Sequence, residues 1–455
     1  MKRTILFIVY SLLFTPFLPP ALSQTSNSGW KAGVAKVKIT PKQDMWLAGY
    51  ASRTHASEGK LHELWAKALF LEDARGNNSL LITTDLLGFS RTVSNQIRNR
   101  LEKQWGLTRS QIILNSSHTH SGPVITNALS AIYPMDAKQE EKVENYSWWL
   151  VEQIAELVGK AKRSRQPVNV YAGNGVVRFQ VNRRNNQESE IANLTDLTGP
   201  NDYAVPVLKI ENKKGNLEAI VFGYACHPTV LNGYRWSGDY PGFAQLELEK
   251  QYKGTTAMFF QGAGADQNPM PRRTVPLAKQ YGQELAAAVE RVLHEDMRVL
   301  SPAIKTAYNE IELEFDTPPS REYLLAFRDK NQGFLKVWAE DMLGLINTGT
   351  PFPTSYPYPV QVWKLGEQTI VALGGELLVN YSVGLKKVLG NELFVMGYSN
   401  DVMAYIPGEK VLSEGGYEGE SSQMVYGMPS TWAPGIEKKV INEVLKLEQQ
   451  VNSSQ

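Results

Sequence analysis

The chain has 455 residues, 42% of them hydrophobic, and its 47 basic and 46 acidic side chains leave a formal net charge of +1. That length supports a large buried core, in one domain or two to three smaller ones. Near-neutral charge with no long run of one sign excludes a phosphate-binding surface, so no nucleic-acid partner is expected. Cys226 is the single cysteine, which rules out a disulfide within the chain and leaves stability to packing.

Lys2 and Arg3 precede a mostly apolar run from Ile5 to Leu18, and Ala21-Leu22-Ser23 offers small residues for cleavage before Gln24. The run is short for a bilayer and is followed by Pro19 and Pro20, so residues 1–23 read as a cleaved signal peptide and not as an anchor. A secreted or periplasmic protein follows, with no transmembrane span in the mature chain. From there strand-like and helical runs alternate. Strands are predicted at Ala32–Thr40, Leu64–Leu71, Ser79–Thr84, Gln111–Asn115, Val168–Phe179, Val205–Ile210, Leu217–Ala225, Thr256–Gln261 and Thr369–Leu373. Helical patterns fall at Arg91–Gln104, Ala137–Ala161, Pro241–Tyr252, Leu277–Leu293, Leu377–Leu389 and about Gly435–Gln450. Phe327–Leu345 reads as one or two helices, and Asn347–Pro359 as a long surface loop. The alternation predicts a mixed α/β architecture.

Six histidines are present, and two stand in Asn115-Ser116-Ser117-His118-Thr119-His120-Ser121-Gly122-Pro123, directly after an apolar strand. On an extended backbone, residues two apart face the same side, which would deliver His118 and His120 together. A second apolar strand, Val221 to Cys226, delivers His227 just before Pro228. Two strand ends that present histidine at a break point to a shared metal site. His55, His62 and His294 read as non-ligands; His294 sits late in a helical pattern, where a cation suits the dipole.

With these motifs the chain resembles the neutral, non-lysosomal ceramidases, zinc-dependent amide hydrolases whose most recognisable motif is the His-Thr-His-Ser-Gly-Pro stretch at 118–123. Gly49-Tyr50, the Gly59…His62…Ala66 region, Thr84-Asp85, Asn182-Arg183, His227-Pro228-Thr229, Gly238-Asp239 with Gly242-Phe243-Ala244, Gly375-Glu376, Tyr405 and Tyr417-Glu418-Gly419 follow in that family's order. The resemblance implies a mixed layered sandwich of β-sheets flanked by helices. It implies a Zn²⁺ held by His118, His227, Glu376 and Tyr405, with His120, Arg183 and Tyr417 lining the site. It also implies a hydrolase in which a metal-bound water attacks the scissile bond, an N-acyl amide of a ceramide-like or related substrate.

Two departures stand out. In Phe259-Phe260-Gln261-Gly262-Ala263-Gly264-Ala265-Asp266-Gln267-Asn268-Pro269, which resembles the loop holding the family's serine, the position read as that serine is Gly262. The loop reads either as a nest of backbone N–H groups for an anion or as a tight turn needing glycine's positive φ. The family's further C-terminal β-sandwich has no counterpart in the sequence, so residues 24–455 read as a single catalytic domain. Three readings remain open: an amide hydrolase, the same scaffold acting on a glycan or ester, and a metal-containing binding protein without turnover. The partner is accordingly a small molecule, lipid or glycan, and oligomeric state is not encoded legibly.

Overall fold

A computed structural model describes residues 29–453, and the predicted signal peptide lies outside them. Among the described residues, no helix is long and apolar enough to cross a membrane. Residues 30–299 build one nine-stranded sheet from β1 (Trp30–Lys38), β2 (Trp65–Glu72), β3 (Asn78–Thr84), β4 (Ile112–Ser116), β5 (Gln166–Val176), β6 (Ala204–Asn212), β7 (Leu217–Tyr224), β8 (Thr256–Gln261) and β9 (Arg298–Val299). Its order is β4-β3-β2-β1-β5-β6-β7-β8, with β9 on the free half of the β5 edge. Neighbours run antiparallel except at the two ends. There, helix α1 (Arg91–Trp105) crosses from β3 to a parallel β4, and α2 (Asp239–Gln251) crosses from β7 to a parallel β8. Ser90 caps α1 by accepting from the Val93 amide, and Gly106 ends it at φ +68.

Both faces of this sheet are buried, and the period of two in the strands sorts the side chains. In β3 and β4, Leu80, Ile82, Ile112 and Leu114 face the helices, while Leu81 and Ile113 face the other way. On that other face lies a second sheet of β10 (Ile304–Glu314), β11 (Ser355–Leu365), β12 (Gln368–Leu373) and β13 (Phe394–Met396). Trp363, Ile370 and Phe394 from it pack against Trp30, Val221 and Phe260. Its outer side is covered by α3 (Val379–Leu389) and α4 (Ile436–Ser453), through Tyr381, Leu385, Val440 and Leu447. Helix, sheet, sheet, helix is therefore the layer order, the sandwich expected from the sequence.

One sequence expectation changes and another is narrowed to one of its two alternatives. The loop predicted over Asn347–Pro359 becomes strand from Ser355 onward, because the unpredicted β10 pairs with all of β11. Pro357 and Pro359 are tolerated because β12 reaches only as far as Val360, so that half of β11 is an edge. Phe327–Leu345 resolves into two helices, Arg321–Lys330 and Gly333–Thr348, around Asn331 and Gln332.

Close packing sets two glycine predictions. Gly223 pairs with Phe260 across β7 and β8, and a Cβ on it would lie 2.2 Å from the Phe260 ring. Gly223→Val is expected to destabilise by about 1–3 kcal/mol, since the interior cannot absorb the added volume. Gly344 is the contrast: it lies in the interior of the Gly333–Thr348 helix with open space where a Cβ would stand. Gly344→Ala is expected to stabilise by up to about 1 kcal/mol. Urea midpoints moving in opposite directions check both.

Candidate metal centre

The site forms where the two parallel ends of the large sheet converge. Asn115, the penultimate residue of β4, accepts from the Gln261 amide at the end of β8 (2.9 Å) and donates to the Gly397 carbonyl after β13 (2.8 Å). The loops that follow β4, β7 and β8 are thereby gathered at one end, the carboxyl side of the parallel strands, where open α/β sheets commonly bind ligands.

His118 and His120 do converge, but not by strand alternation. His118 has φ +64, a left-handed conformation uncommon for a residue with a Cβ. Its amide donates to Leu86 O (2.9 Å) and its Nδ1–H to Leu87 O (2.6 Å), which hold the turn. His227 lies three residues beyond β7; its amide donates to Gln267 O (2.9 Å) and its Nδ1–H to Gly264 O (3.0 Å). A carbonyl only accepts, so each Nδ1 carries a proton, and Nε2 is the ring nitrogen free to act as a ligand when the imidazole is neutral.

Glu376 completes the convergence. It sits in the short strand β14 (Glu376–Leu377), not in the first turn of a helix, and pairs in parallel with Tyr405 of β15 (Tyr405–Ile406). Gly375 precedes it at φ +70, and a Cβ there would meet Ile406 Cγ1 at 2.5 Å, so the sharp approach needs glycine. Glu376 Oε2 lies 3.2 Å from His118 Nε2 and 3.3 Å from His227 Nε2, and the two nitrogens are 3.1 Å apart. All three side chains are buried. His120 Nε2 stands 3.3 Å from His118 Nε2, and the three imidazoles offer nitrogens within 4.8 Å of one another.

Burial would raise the Glu376 carboxyl, but His118 and His227 overcome this and hold it well below the usual carboxylate range. Burial pushes His227 down to about 4, against the pull of Glu376. Burial, with His118 and His227 beside it, also keeps His120 far below its ordinary value. At neutral pH His120 and His227 are therefore uncharged, and lone pairs and a carboxylate face one point. His120 Nδ1 is buried with no hydrogen-bond partner among the described residues.

The remaining predicted residues surround this point. Arg183 follows a short strand, Gln180–Asn182, that pairs with Gln267–Pro269, and is partly buried. It donates from Nε to Glu418 (2.7 Å) and from Nη2 to the Tyr405 hydroxyl (3.2 Å). Burial opposes its charge, but Tyr405 and Glu418 keep it firmly cationic. The Tyr405 ring lies parallel to that of His227, centroids 6.5 Å apart, and meets the Tyr417 ring edge-on at 5.3 Å. Tyr417 is 45% exposed at the rim, and burial of its hydroxyl end, with Glu376 nearby, pushes its phenol up to about 12. It opens a π-helical turn, Tyr417–Ser421, preceded by Gly415 and Gly416, both at positive φ.

Sequence reading missed three contributors. Tyr426 donates to Glu376 Oε1 and Tyr398 to Oε2 (3.4 Å), so two phenols orient the carboxylate. Neither tyrosine stands in a motif; Tyr426 is the C-cap of a four-residue helix, Ser422–Val425. Tyr426→Phe is expected to weaken metal binding by about 10–100-fold with the fold intact, the usual cost of losing such an orienting partner; titration of the apo-protein with a competing chelator reads it. The third is Asn268, whose Oδ1 accepts from Arg183 Nη1 (3.4 Å).

The glycine-rich loop also differs from expectation. Neither Gly262 nor Gly264 has a positive φ. Gly264 is required by close approach instead: a Cβ would lie 2.6 Å from the Cys226 amide nitrogen. A Cβ on Gly262 would meet Ala225 first, at 3.2–3.3 Å, whereas Asn268 is the side chain this segment brings beside Arg183. His62, read as a non-ligand, is engaged with the Ser237 hydroxyl at 3.0 Å. His55 stacks on Tyr234, and His294 is a helix C-cap.

A loop leaving this region carries a buried carboxyl, Asp401, whose ionisation is linked to folding. Asp401 accepts from the Tyr356 hydroxyl (2.8 Å), and burial pushes its carboxyl up to about 7. In the unfolded chain the group ionises near pH 4. Its contribution to stability is therefore complete below about pH 4 and is lost as pH rises through 7, an effect on the order of 4 kcal/mol. Asp401→Asn is expected to flatten unfolding free energy between pH 4 and 8; a slope equal to the parent's would assign the effect elsewhere.

Fold and site together define a layered α/β protein with a buried histidine–carboxylate centre of the metal-binding kind. A family profile described as neutral/alkaline non-lysosomal ceramidase, N-terminal, matches residues 30–305. The chain belongs to this family of hydrolases. It is 27% identical over 245 residues to neutral ceramidase B of Dictyostelium discoideum, covering 51% of this chain and 33% of that protein. It is 25% identical over 253 residues to the neutral ceramidase of Pseudomonas aeruginosa, covering 53% of this chain and 37% of that protein. The matched segments thus span about a third of these relatives. The crystal structure of the Pseudomonas aeruginosa neutral ceramidase shares the fold, with a TM-score of 0.71 at 18% identity over 92% of this chain and 74% of that one. A ceramidase complexed with C2 gives 0.72 at 17% identity over 94% and 77%.

Proposed function

We propose that this chain is an exported zinc-dependent hydrolase of N-acyl amides, with His118, His227, Glu376 and Tyr405 as the metal ligands. The triangle of His118 Nε2, His227 Nε2 and Glu376 Oε2, with sides of 3.1, 3.2 and 3.3 Å, carries this reading. Ligands about 2.0–2.1 Å from a tetrahedral zinc stand roughly 3.3 Å apart, so the three atoms fit one face of such a shell. Their protons are already committed elsewhere, to Leu87 O and Gly264 O. The pairing of Glu376 with Tyr405 supports the phenol as a fourth donor. A divalent ion held by these residues would supply Lewis acidity and would lower the pKa of water to about 7.

The protein's own groups supply the rest. Arg183, a fixed cation, and Tyr417, a neutral phenol at pH 7, are donors for the oxygen that gains charge as the carbonyl carbon turns tetrahedral. Asn268 restrains Arg183 from the far side. His120, neutral and with Nε2 facing the centre 3.3 Å from His118 Nε2, accepts a proton and returns it to the leaving nitrogen. No step requires a hydroxyl at Gly262. The test is metal content of the purified protein together with turnover of matched N-acyl amides, esters and glycosides before and after chelation. Zinc at one per chain with chelator-sensitive amide cleavage supports the proposal; turnover unaffected by removal of all metal overturns it.

A further inference from the structure

Beside the centre lies a cavity of about 480 Å³, in the range of small-molecule sites. Arg183 and Tyr417 line it, and both also contact Tyr405, so the cavity adjoins the centre through these two side chains. A larger cavity of about 920 Å³ lined by Ser110, Gln111 and Ile304 lies at the opposite, amino-terminal end of β4 and does not compete for this role.

The lining of the smaller cavity is unusual for a lipid site. Five of its side chains are charged: Arg183, Arg184, Glu188, Arg272 and Glu418. They are mutually paired. Arg272 grips Glu188 through Nε (2.8 Å) and Nη2, and its Nη1 reaches the Thr229 hydroxyl (3.2 Å). Arg184 donates to Glu418 (2.8 Å) and Glu414 (3.0 Å). Pairing removes any strong preference for an anion or a cation, yet leaves carboxylate lone pairs and guanidinium N–H groups at the wall. A hydrocarbon chain would desolvate these groups without replacing their hydrogen bonds with water. A group bearing both hydroxyl donors and acceptors would replace them. The one large aromatic surface, Tyr417, stands half-exposed at the rim, where it can lie against a C–H face.

Resting on the amide-hydrolase reading, we infer that the amine side of the substrate is a polyhydroxylated group of saccharide type, so that the preferred substrate is an N-acylated amino sugar and not an N-acyl sphingoid lipid. The Arg272–Glu188 pair is the specificity determinant. It joins the excursion after Arg183 to the segment after Pro271 and touches neither the histidines nor Glu376.

The test uses the full-length zinc-loaded protein and two amides with the same short acyl group, N-hexanoyl-glucosamine and N-hexanoyl-sphingosine. Hydrolysis is read by kcat and KM and binding by calorimetry, for the parent, Arg272→Ala and the milder Glu188→Gln. A kcat/KM at least ten-fold higher for the sugar amide, with Arg272→Ala raising its KM ten-fold or more and leaving kcat and zinc content near the parent's, supports the inference. Equal or faster cleavage of the sphingosine amide, or a sugar amide indifferent to both variants, overturns it. If neither amide is cleaved, calorimetry still decides: sugar-amide binding that weakens in both variants keeps the saccharide site and sinks the hydrolase reading, and absence of binding sinks the saccharide site.

Discussion

His227→Ala is expected to leave a protein that neither retains zinc nor turns over. The substitution removes one corner of the triangle and strands the Glu376 carboxylate beside a single imidazole. A buried carboxylate with half its compensation gone takes up a proton, which removes the carboxylate charge from the ligand set. Activity should fall by roughly a thousand-fold or more, because the step that makes water a nucleophile at neutral pH is lost. Stability should change in a diagnostic way. Zinc at a thousand times its dissociation constant stabilises the native state by about 4 kcal/mol, so adding zinc should raise the unfolding midpoint of the parent and not of the variant. Stoichiometric zinc in purified His227→Ala would rule out His227 as a ligand.

Arg183→Met carries the second large effect, of a different kind. The methionine keeps much of the aliphatic volume but removes the cation from the Tyr405 hydroxyl and from the face of Tyr417. Glu418 retains its contact with Arg184, so the fold and the rim should survive. Losing one preorganised donor to a developing oxyanion typically costs about 10²–10³ in kcat. The expected signature is a kcat loss in that range with KM and zinc content close to the parent's. Loss of zinc along with activity would show instead that Arg183 acts by holding Tyr405 in place.

How much of this was legible beforehand depends on what kind of information each element carries. The longer strands and helices of the first 300 residues follow from the apolar pattern, because both faces of the large sheet are buried and its strands read as near-continuous apolar runs. The strand Ile304–Glu314 escaped for the converse reason. Only Ile304, Ala307 and Leu313 of its eleven residues are fully buried, and the polar remainder leaves no clear alternation. The two histidine motifs were readable because a break follows each strand end. The mechanism offered for His118 and His120, an extended backbone, was not the operating one: a left-handed turn at His118 brings the rings together edge-on, at 82°. The positive φ assigned to the glycine-rich loop was likewise replaced by close approach to Cys226.

The amino-acid order alone determined which segments become strands and helices and which of them end in chemically competent side chains, since these depend on neighbours along the chain. Family resemblance extended this to Glu376, Tyr405 and Tyr417, positions no local pattern marks. Tertiary structure alone decided that Nε2 of His118 and His227, 109 residues apart, face each other at 3.1 Å. It also decided that Tyr398 and Tyr426 fix the carboxylate, and that paired charges wall the mouth. The reason is physical: these relations are set by how the sheet curls through Asn115 and by which loops then meet, and a distance across folded layers leaves no trace in residue spacing.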